Sequence, residues 1–185
     1  MSTAWIDQLK LDHALRRLQQ DQIEALEDIY QMMYASIFKY TFSMVRNYHQ
    51  AEDITQEVFL RIERYKNKYS ARTNPKAWIY TMTKNLIYSK QKQQKEIALE
   101  KEKLHFVIDH QYLQEQTDLS FVKEALDLLS EKERQVVTLH IYGGLKHYET
   151  AQVLNIPYSK VRSIYTYALH KIKKNLRGKK YEETH

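Results

Sequence analysis

The chain contains no cysteine. That excludes disulfides and thiolate metal sites, and it fits an intracellular protein. Only 3 Gly and 2 Pro occur in 185 residues, too few for the many tight turns of an all-β fold. No apolar run approaches the ~20 residues of a membrane helix, so no membrane insertion is expected. The opening MSTAWIDQLKLDH has no basic segment followed by an apolar one, so no secretory signal is expected and the expected compartment is the cytoplasm. A glycine-rich phosphate loop and a Glu-bracketed His pair are both missing. The histidines are scattered, and the spacing of His105 and His110 does not suit one helical face. No metal, no cofactor and no catalytic residue are therefore expected.

What is present favours helices and a polyanionic partner. Hydrophobic residues make up 43% of the chain, enough to bury a core. Leu, Gln, Glu, Lys and Ala are abundant and helix-compatible, so the expected class is all-α. Lys and Arg number 29 against 23 Asp and Glu, a net charge of +6, with a pI near 9.2. Such a balance favours nucleic acid.

Apolar spacing predicts helices over 4–20, with Trp5, Leu9 and Leu15 or Leu18 on one side, and over 22–46. In AEDITQEVFLRIERY (51–65), Ala51, Ile54, Val58 and Ile62 form an i, i+4 stripe. Asp53, Gln56, Glu57 and Leu60 then face outward. A polar loop follows at 66–76, and Pro75 can open the next helix at its first position. From Arg61 to Lys95 there are ten Lys or Arg against one acid, Glu63. Tyr65, Tyr69, Trp78, Tyr80 and Tyr88 are interleaved with them. Aromatic faces among cations suit single-stranded nucleic acid, where bases stack and phosphates are neutralised. The alternative for Trp78 and some of the tyrosines is a place in the core. Basic density drops over 96–118, which reads as a linker between an N-terminal domain (1–95) and a C-terminal one (119–185).

The stretch Ser130–Lys174 reads as helix, Gly143-Gly144 turn, short helix from about Lys146 to Leu154, turn at Asn155-Ile156-Pro157, and basic helix. The glycines break the first helix by taking positive φ. Asn155 tolerates the left-handed turn conformation. Ser159 is a candidate cap for the last helix, in which Val161, Tyr165, Ala168, Leu169 and Ile172 fall at helical spacing. No acid lies between Glu149 and Glu182, while Lys160, Arg162, Lys171, Lys173, Lys174, Arg177, Lys179 and Lys180 do. This is the helix-turn-helix pattern with an unopposed cationic run. A DNA-binding regulator using this module alone, and a helical adaptor that binds a protein but no DNA, are the competing readings.

Three stretches in this order, AEDITQEVFLRI, NPKAWIYTMTKNLI and LSEKERQVVTLHIYGGLKHYETAQVLNIPYSKVRSIYTYALHKIKK, resemble the extracytoplasmic-function (group IV) sigma factors of bacterial RNA polymerase. The resemblance implies two helical domains joined by a linker that runs towards the polymerase active-site channel, and no enzymatic activity of the chain's own. It implies promoter DNA and core polymerase as partners, through the β′ clamp helices and the β flap, and an anti-sigma protein as a further one. Asp53, Gln56, Glu57 and Leu60 would contact the clamp helices. Tyr69, Ser70, Arg72, Asn74, Lys76, Trp78, Lys84 and Asn85 would melt and hold the −10 element. Tyr158, Lys160, Arg162, Ser163 and Thr166 would read the −35 element. The chain departs from the family in having Asn155 where Gly is frequent, and Ile164, Tyr167 and Leu169 where Arg is frequent.

Overall fold

The computed structural model describes residues 3–70, 73–100 and 125–182, with side chains over 6–70, 73–96 and 125–176. Among these residues every regular element is helical: α1 (Thr3–Gln19), α2 (Ala25–Val45), α3 (Tyr48–Arg64), a 3₁₀ turn (Lys66–Lys68), α4 (Pro75–Glu100), α5 (Glu131–Ile141), α6 (His147–Leu154) and α7 (Tyr158–Glu182). Arg72, most of the expected linker at 96–118 and residues 119–124 of the expected C-terminal domain lie outside the described residues.

Local chemistry sets the boundaries. Arg46 takes a left-handed conformation (φ 57) and ends α2 by donating its N–H to the Phe42 carbonyl. Asn47 then caps α3, its side chain accepting from the Gln50 N–H at 2.8 Å. Such a cap is worth about 1 kcal/mol. Asn74 caps α4 by accepting from the Ala77 N–H at 3.0 Å, which puts Pro75 at the first helical position. Ser130 and Glu133 form a capping box on α5. Glu149 supplies half of one on α6, accepting from the Lys146 N–H at 2.7 Å.

The stripe expected on α3 is buried, with Ala51, Ile54, Val58 and Ile62 all 0% exposed. Against it pack Ile29, Met33, Ile37 and Tyr40 of α2, Leu11, Leu15 and Leu18 of α1, and Ile79, Tyr80, Leu86 and Ile87 of α4. Leu139, Leu145 and Val153, from the other end of the chain, belong to the same buried cluster. The helix-turn-helix region has two smaller clusters of its own, Leu129 with Val137 and Ala168, and Val136 with Ala151 and Val161. Its attachment to α2 and α4 is thus part of the main core.

Several positions differ from the sequence expectation. Leu9 is exposed, and Leu11, Ala14, Leu15 and Leu18 form the buried face of α1 instead. Leu169, placed on an apolar stripe by spacing, is also exposed. Ser159 does not cap α7. The helix starts one residue earlier, at Tyr158, and the Ser159 carbonyl accepts from the Ser163 hydroxyl at 3.1 Å. Of the glycine pair, only Gly144 has positive φ (64). Gly143 is small for another reason: a Cβ there would lie 2.4 Å from the Leu139 carbonyl oxygen and 3.0 Å from the Tyr80 ring.

Candidate nucleic-acid interface

The outward face of α3 is acidic and apolar. Asp53 and Gln56 are exposed, and Leu60 is 66% exposed. Glu57 lies beside them but has partners within the chain. Its carboxylate accepts from Arg61 at 2.7 Å and sits 3.1 Å from Lys90 on α4. Burial pulls its pKa up, but the bonds from Arg61 and Lys90 outweigh this and hold it below the usual carboxylate range. Glu57 therefore ties α3 to α4 as well as edging the acidic face.

The residues expected at a −10 element divide among three surroundings. Tyr69 is a core residue, 4% exposed. Its hydroxyl donates to Asp12, and its ring meets Trp78 edge-on with centroids 5.3 Å apart. Burial first, then the Asp12 contact, raises its pKa well above the normal phenol value. Neither face of the Tyr69 ring is open to stack on a base. Ser70 and Asn85 are exposed, and Trp78 is half-buried.

Asn74, Lys76 and Lys84 instead face the helix-turn-helix. Asn74 Nδ2 donates to Glu149 Oε1 at 2.6 Å. Lys84 Nζ donates to the Val153 carbonyl at 2.6 Å, in the last turn of α6, where the helix dipole favours a cation. Burial lowers the Lys84 pKa. Lys76 Nζ would lie 3.4 Å from a Cβ built on Gly144. Tyr80 meets Gly143, and the Tyr88 hydroxyl accepts from Gln135. Lys76, Tyr80, Lys84 and Tyr88 are spaced by four, so one stripe of α4 faces the helix-turn-helix.

The face of α7 is arranged differently. The α6–α7 turn is set by Asn155, left-handed at φ 52 as its sequence position suggested, and by the Ile156 N–H bonding back to the Ala151 carbonyl at 3.1 Å. Val161 and Ala168 are 0% exposed and seat α7 on α5 and α6. Tyr158, Lys160, Arg162, Ser163 and Thr166 are all exposed together on the opposite side, with the Arg162 guanidinium 5.9 Å from the Tyr158 ring centroid. Tyr167 shares that side. It is 59% exposed, with Lys171 Nζ 4.9 Å from its ring centroid. Its position one turn beyond Ser163 was the available signal for the exposed face. Tyr165 does pack, its ring centroid 4.8 Å from that of His140 and 4.7 Å from that of His147.

An all-helical N-terminal unit with a basic helix, joined to a helix-turn-helix, is the architecture of a promoter-recognition subunit. Comparison with known proteins agrees. A family model described as Sigma-70 region 2 matches residues 29–97, and one described as Sigma-70, region 4 matches residues 125–174. The chain belongs to the sigma-70 family and, within it, to the extracytoplasmic-function sigma factors. It is 24% identical over 153 residues to the ECF RNA polymerase sigma factor SigM of Bacillus subtilis (strain 168), covering 80% of this chain and 93% of that one. To SigX of the same organism it is 25% identical over 165 residues, covering 82% and 85%. Among solved structures it is similar in fold to the sigma factor RpoE in complex with the anti-sigma factor NepR from Bartonella quintana, with TM-score 0.69, 19% identity and coverage of 82% and 96%. It is likewise similar to CnrH in complex with the cytosolic domain of CnrY, with TM-score 0.70, 15% identity and coverage of 91% and 98%. No helix among the described residues is long and apolar enough to cross a membrane.

Proposed function

We propose that this sigma factor divides its work between an N-terminal domain (1–95), which binds core polymerase and opens the −10 element, and a C-terminal domain (119–185), which reads the −35 element. The chain directs promoter-specific initiation by RNA polymerase. The observation that carries the division is the pairing of two unlike faces: the acidic, Leu60-centred surface of α3 and the open cationic surface of α7. The first suits a basic or apolar protein groove, and the second suits the phosphates and base edges of a major groove.

On this reading Asp53, Gln56 and Leu60, with Glu57 at the edge, meet the β′ clamp helices. Arg162 and Lys160 supply charge to the −35 duplex, and Tyr158, Ser163 and Thr166 supply shape. Asn74, Lys76, Trp78, Lys84, Asn85 and Ser70 hold the −10 strand, and Tyr69 supports Trp78 from beneath. The polymerase performs the chemistry, in the cytoplasm. An anti-sigma protein is a further partner, as the named complexes of the structural relatives suggest.

The test is a reconstituted run-off assay with core polymerase and promoter fragments. The double substitution Asp53→Arg with Gln56→Ala should abolish sigma-dependent transcripts while leaving the helical circular dichroism and melting temperature unchanged. Both side chains are exposed, so neither change touches the core. Full transcription by this variant would overturn the docking assignment.

A further inference from the structure

We propose that α1, which precedes the segment matched by the Sigma-70 region 2 family model (29–97), is a brace for the −10 strand site. Through Asp12, Gln19 and Asp21 it fixes the turn at 66–70 and the Tyr69–Trp78 ring pair in the shape that receives an unstacked base. The inference rests on the assignment of Ser70 and Trp78 to the −10 strand made above.

Four observations carry it. First, the turn has little to hold it from within. The Lys68 N–H bonds to the Tyr65 carbonyl at 2.8 Å and the Tyr69 N–H to the Lys66 carbonyl at 3.0 Å, but none of Lys66, Asn67 and Lys68 is buried. Second, one side chain of α1 spans it. Gln19 Nε2 donates to the Lys66 carbonyl at 2.9 Å and to the Tyr69 carbonyl at 2.8 Å. Both protons of that amide are used on the two ends of the turn. Third, the end of α1 takes up the charge of Lys66. The Lys66 side chain is 14% exposed and its ammonium sits 2.7 Å from Asp21 and 3.7 Å from Glu63. Asp21 is left-handed at φ 63. Its N–H bonds to the Leu18 carbonyl, and the Gln22 N–H to the Arg17 carbonyl, both at 3.1 Å. This is a Schellman end, and it carries the Asp21 carboxylate to Lys66. Fourth, Asp12 holds the ring that supports Trp78. Its Oδ1 accepts from the Tyr69 hydroxyl and its Oδ2 from Arg16 Nε at 2.8 Å, and the Tyr69 ring meets that of Trp78 edge-on.

The seating of α1 does not depend on these polar groups. Leu11, Ala14, Leu15 and Leu18 fix the helix in the main core. Asp12 and Gln19 stand seven residues apart, close to two full turns, so they lie on one flank and reach across to the same loop. Lys66 is thereby withdrawn from the cations that can meet a phosphate, while Lys68 stays exposed. A base stacks productively on Trp78 only if the ring plane is set before the strand arrives, and the row Asp12–Tyr69–Trp78 sets it. Asp12 and Gln19 are positioning residues, acting on the −10 strand through Tyr69 and the turn.

The experiment uses the full chain with core polymerase, on a promoter fragment active in the run-off assay. 2-Aminopurine in the −10 element reports strand opening. Binding of the same holoenzyme to a duplex that ends upstream of the −10 element is the parallel readout, because loss of folded protein lowers both and loss of the brace lowers only opening. Gln19→Glu removes both donors at nearly constant shape. Asp12→Leu removes the acceptor for Tyr69, and Asp12→Asn keeps one. Asp21→Asn lies at a side chain 84% exposed, so it loosens the turn without touching the core. The expected result is opening roughly tenfold slower in Gln19→Glu and Asp12→Leu, roughly threefold slower in Asp21→Asn, and near-parental in Asp12→Asn, with −35 binding unchanged throughout. The Gln19→Glu loss should vanish in a Trp78→Ala background, because the brace acts through that ring. Opening that is slow in Trp78→Ala but parental in Gln19→Glu and Asp21→Asn overturns the brace alone, as does a loss shared equally by opening and −35 binding. Parental opening in Trp78→Ala itself overturns the −10 assignment, and the brace falls with it.

Discussion

Two basic helices of this protein meet the rest of the chain in opposite ways. On α7 the cations Lys160 and Arg162 point to solvent while Val161 and Ala168 face inward, and Lys171 further along reaches Glu133 of α5 at 2.9 Å. On α4 Lys76 and Lys84 lie on the side that another module covers. Local sequence makes the two helices look alike, since both carry lysines interleaved with tyrosines. The difference lies in the neighbour. A helix such as α7, at the end of its module, has one face to bury and one free. A helix such as α4 is buried on α2 and α3 along one stripe and covered by α5 and α6 along the next. Charge density foretells the class of partner, and only packing decides whether the charge is available to it.

The largest effect should come from the joint itself. Gly143→Ala would drive a Cβ into the Leu139 carbonyl and the Tyr80 ring, and overpacking of this kind costs about 2–3 kcal/mol. Thermal unfolding should show the loss, with promoter-dependent transcription falling in step. Gly144→Ala is the matched control. Its Cβ finds only Lys76 Nζ at 3.4 Å, so the cost is the positive φ alone, about 1 kcal/mol. Equal effects at the two glycines would mean that the turn, and not the contact with α4, is what Gly143 serves.

A smaller pair of effects separates the covered helix from the open one. Arg162→Ala should leave the melting temperature within error, because the side chain is exposed. It should relax −35 preference by about 1–3 kcal/mol at one base pair. A uniform loss across promoters would make Arg162 a phosphate contact instead. Lys84→Met should lower stability by about 1 kcal/mol, since the Val153 carbonyl loses its donor. Unchanged unfolding in that variant would mean that water replaces the ammonium and that the α4–α6 contact is held by its apolar centre.

The helices, the α3 stripe, the Asn155 turn and the helix-turn-helix were legible because each rests on local spacing or on one residue's φ preference. Other features were not. Tyr69 sits among basic and polar neighbours, and nothing nearby announces that Asp12, far back in the chain, accepts its hydroxyl. Leu9 and Leu169 satisfy a helical period and yet are exposed, because the period fixes a face and not the width of what covers it. The stripe Lys76–Tyr80–Lys84–Tyr88 is a regular i, i+4 row in the sequence. Its role depends on Glu149, Val153, Gly143 and Gln135, whose arrival is decided by long-range packing. Gly143 was read correctly as a helix end, but for the reason that belongs to Gly144.

The smallest expected effect concerns the inside of the helix-turn-helix and distinguishes it from the α4 contact by pH. His147 lies in the first turn of α6 with its Nε2 buried and without a hydrogen-bond partner. His140 of α5 and Tyr165 of α7 pack against its ring at 4.9 and 4.7 Å between centroids. Burial first, then the nearby His140 and Arg162, lowers its pKa. A base whose pKa is lower folded than unfolded binds its proton more readily in the unfolded chain. Stability therefore rises with pH across the window between the two values and is lost as pH falls below the unfolded value of about 6.5. Urea unfolding monitored from about pH 7.5 to about 5.5 should show a falling midpoint, and His147→Gln should flatten that slope. The contacts that join α6 to α4 run through Glu149 and Lys84 and involve no histidine. Energy transfer between dyes placed through Glu24→Cys on the first module and Lys173→Cys on the second, both exposed positions, should accordingly change less over the same interval than the unfolding midpoint does. A transfer signal that collapses along with stability would mean that the helix-turn-helix cannot loosen without leaving α4, and that the open and covered helices answer to one transition.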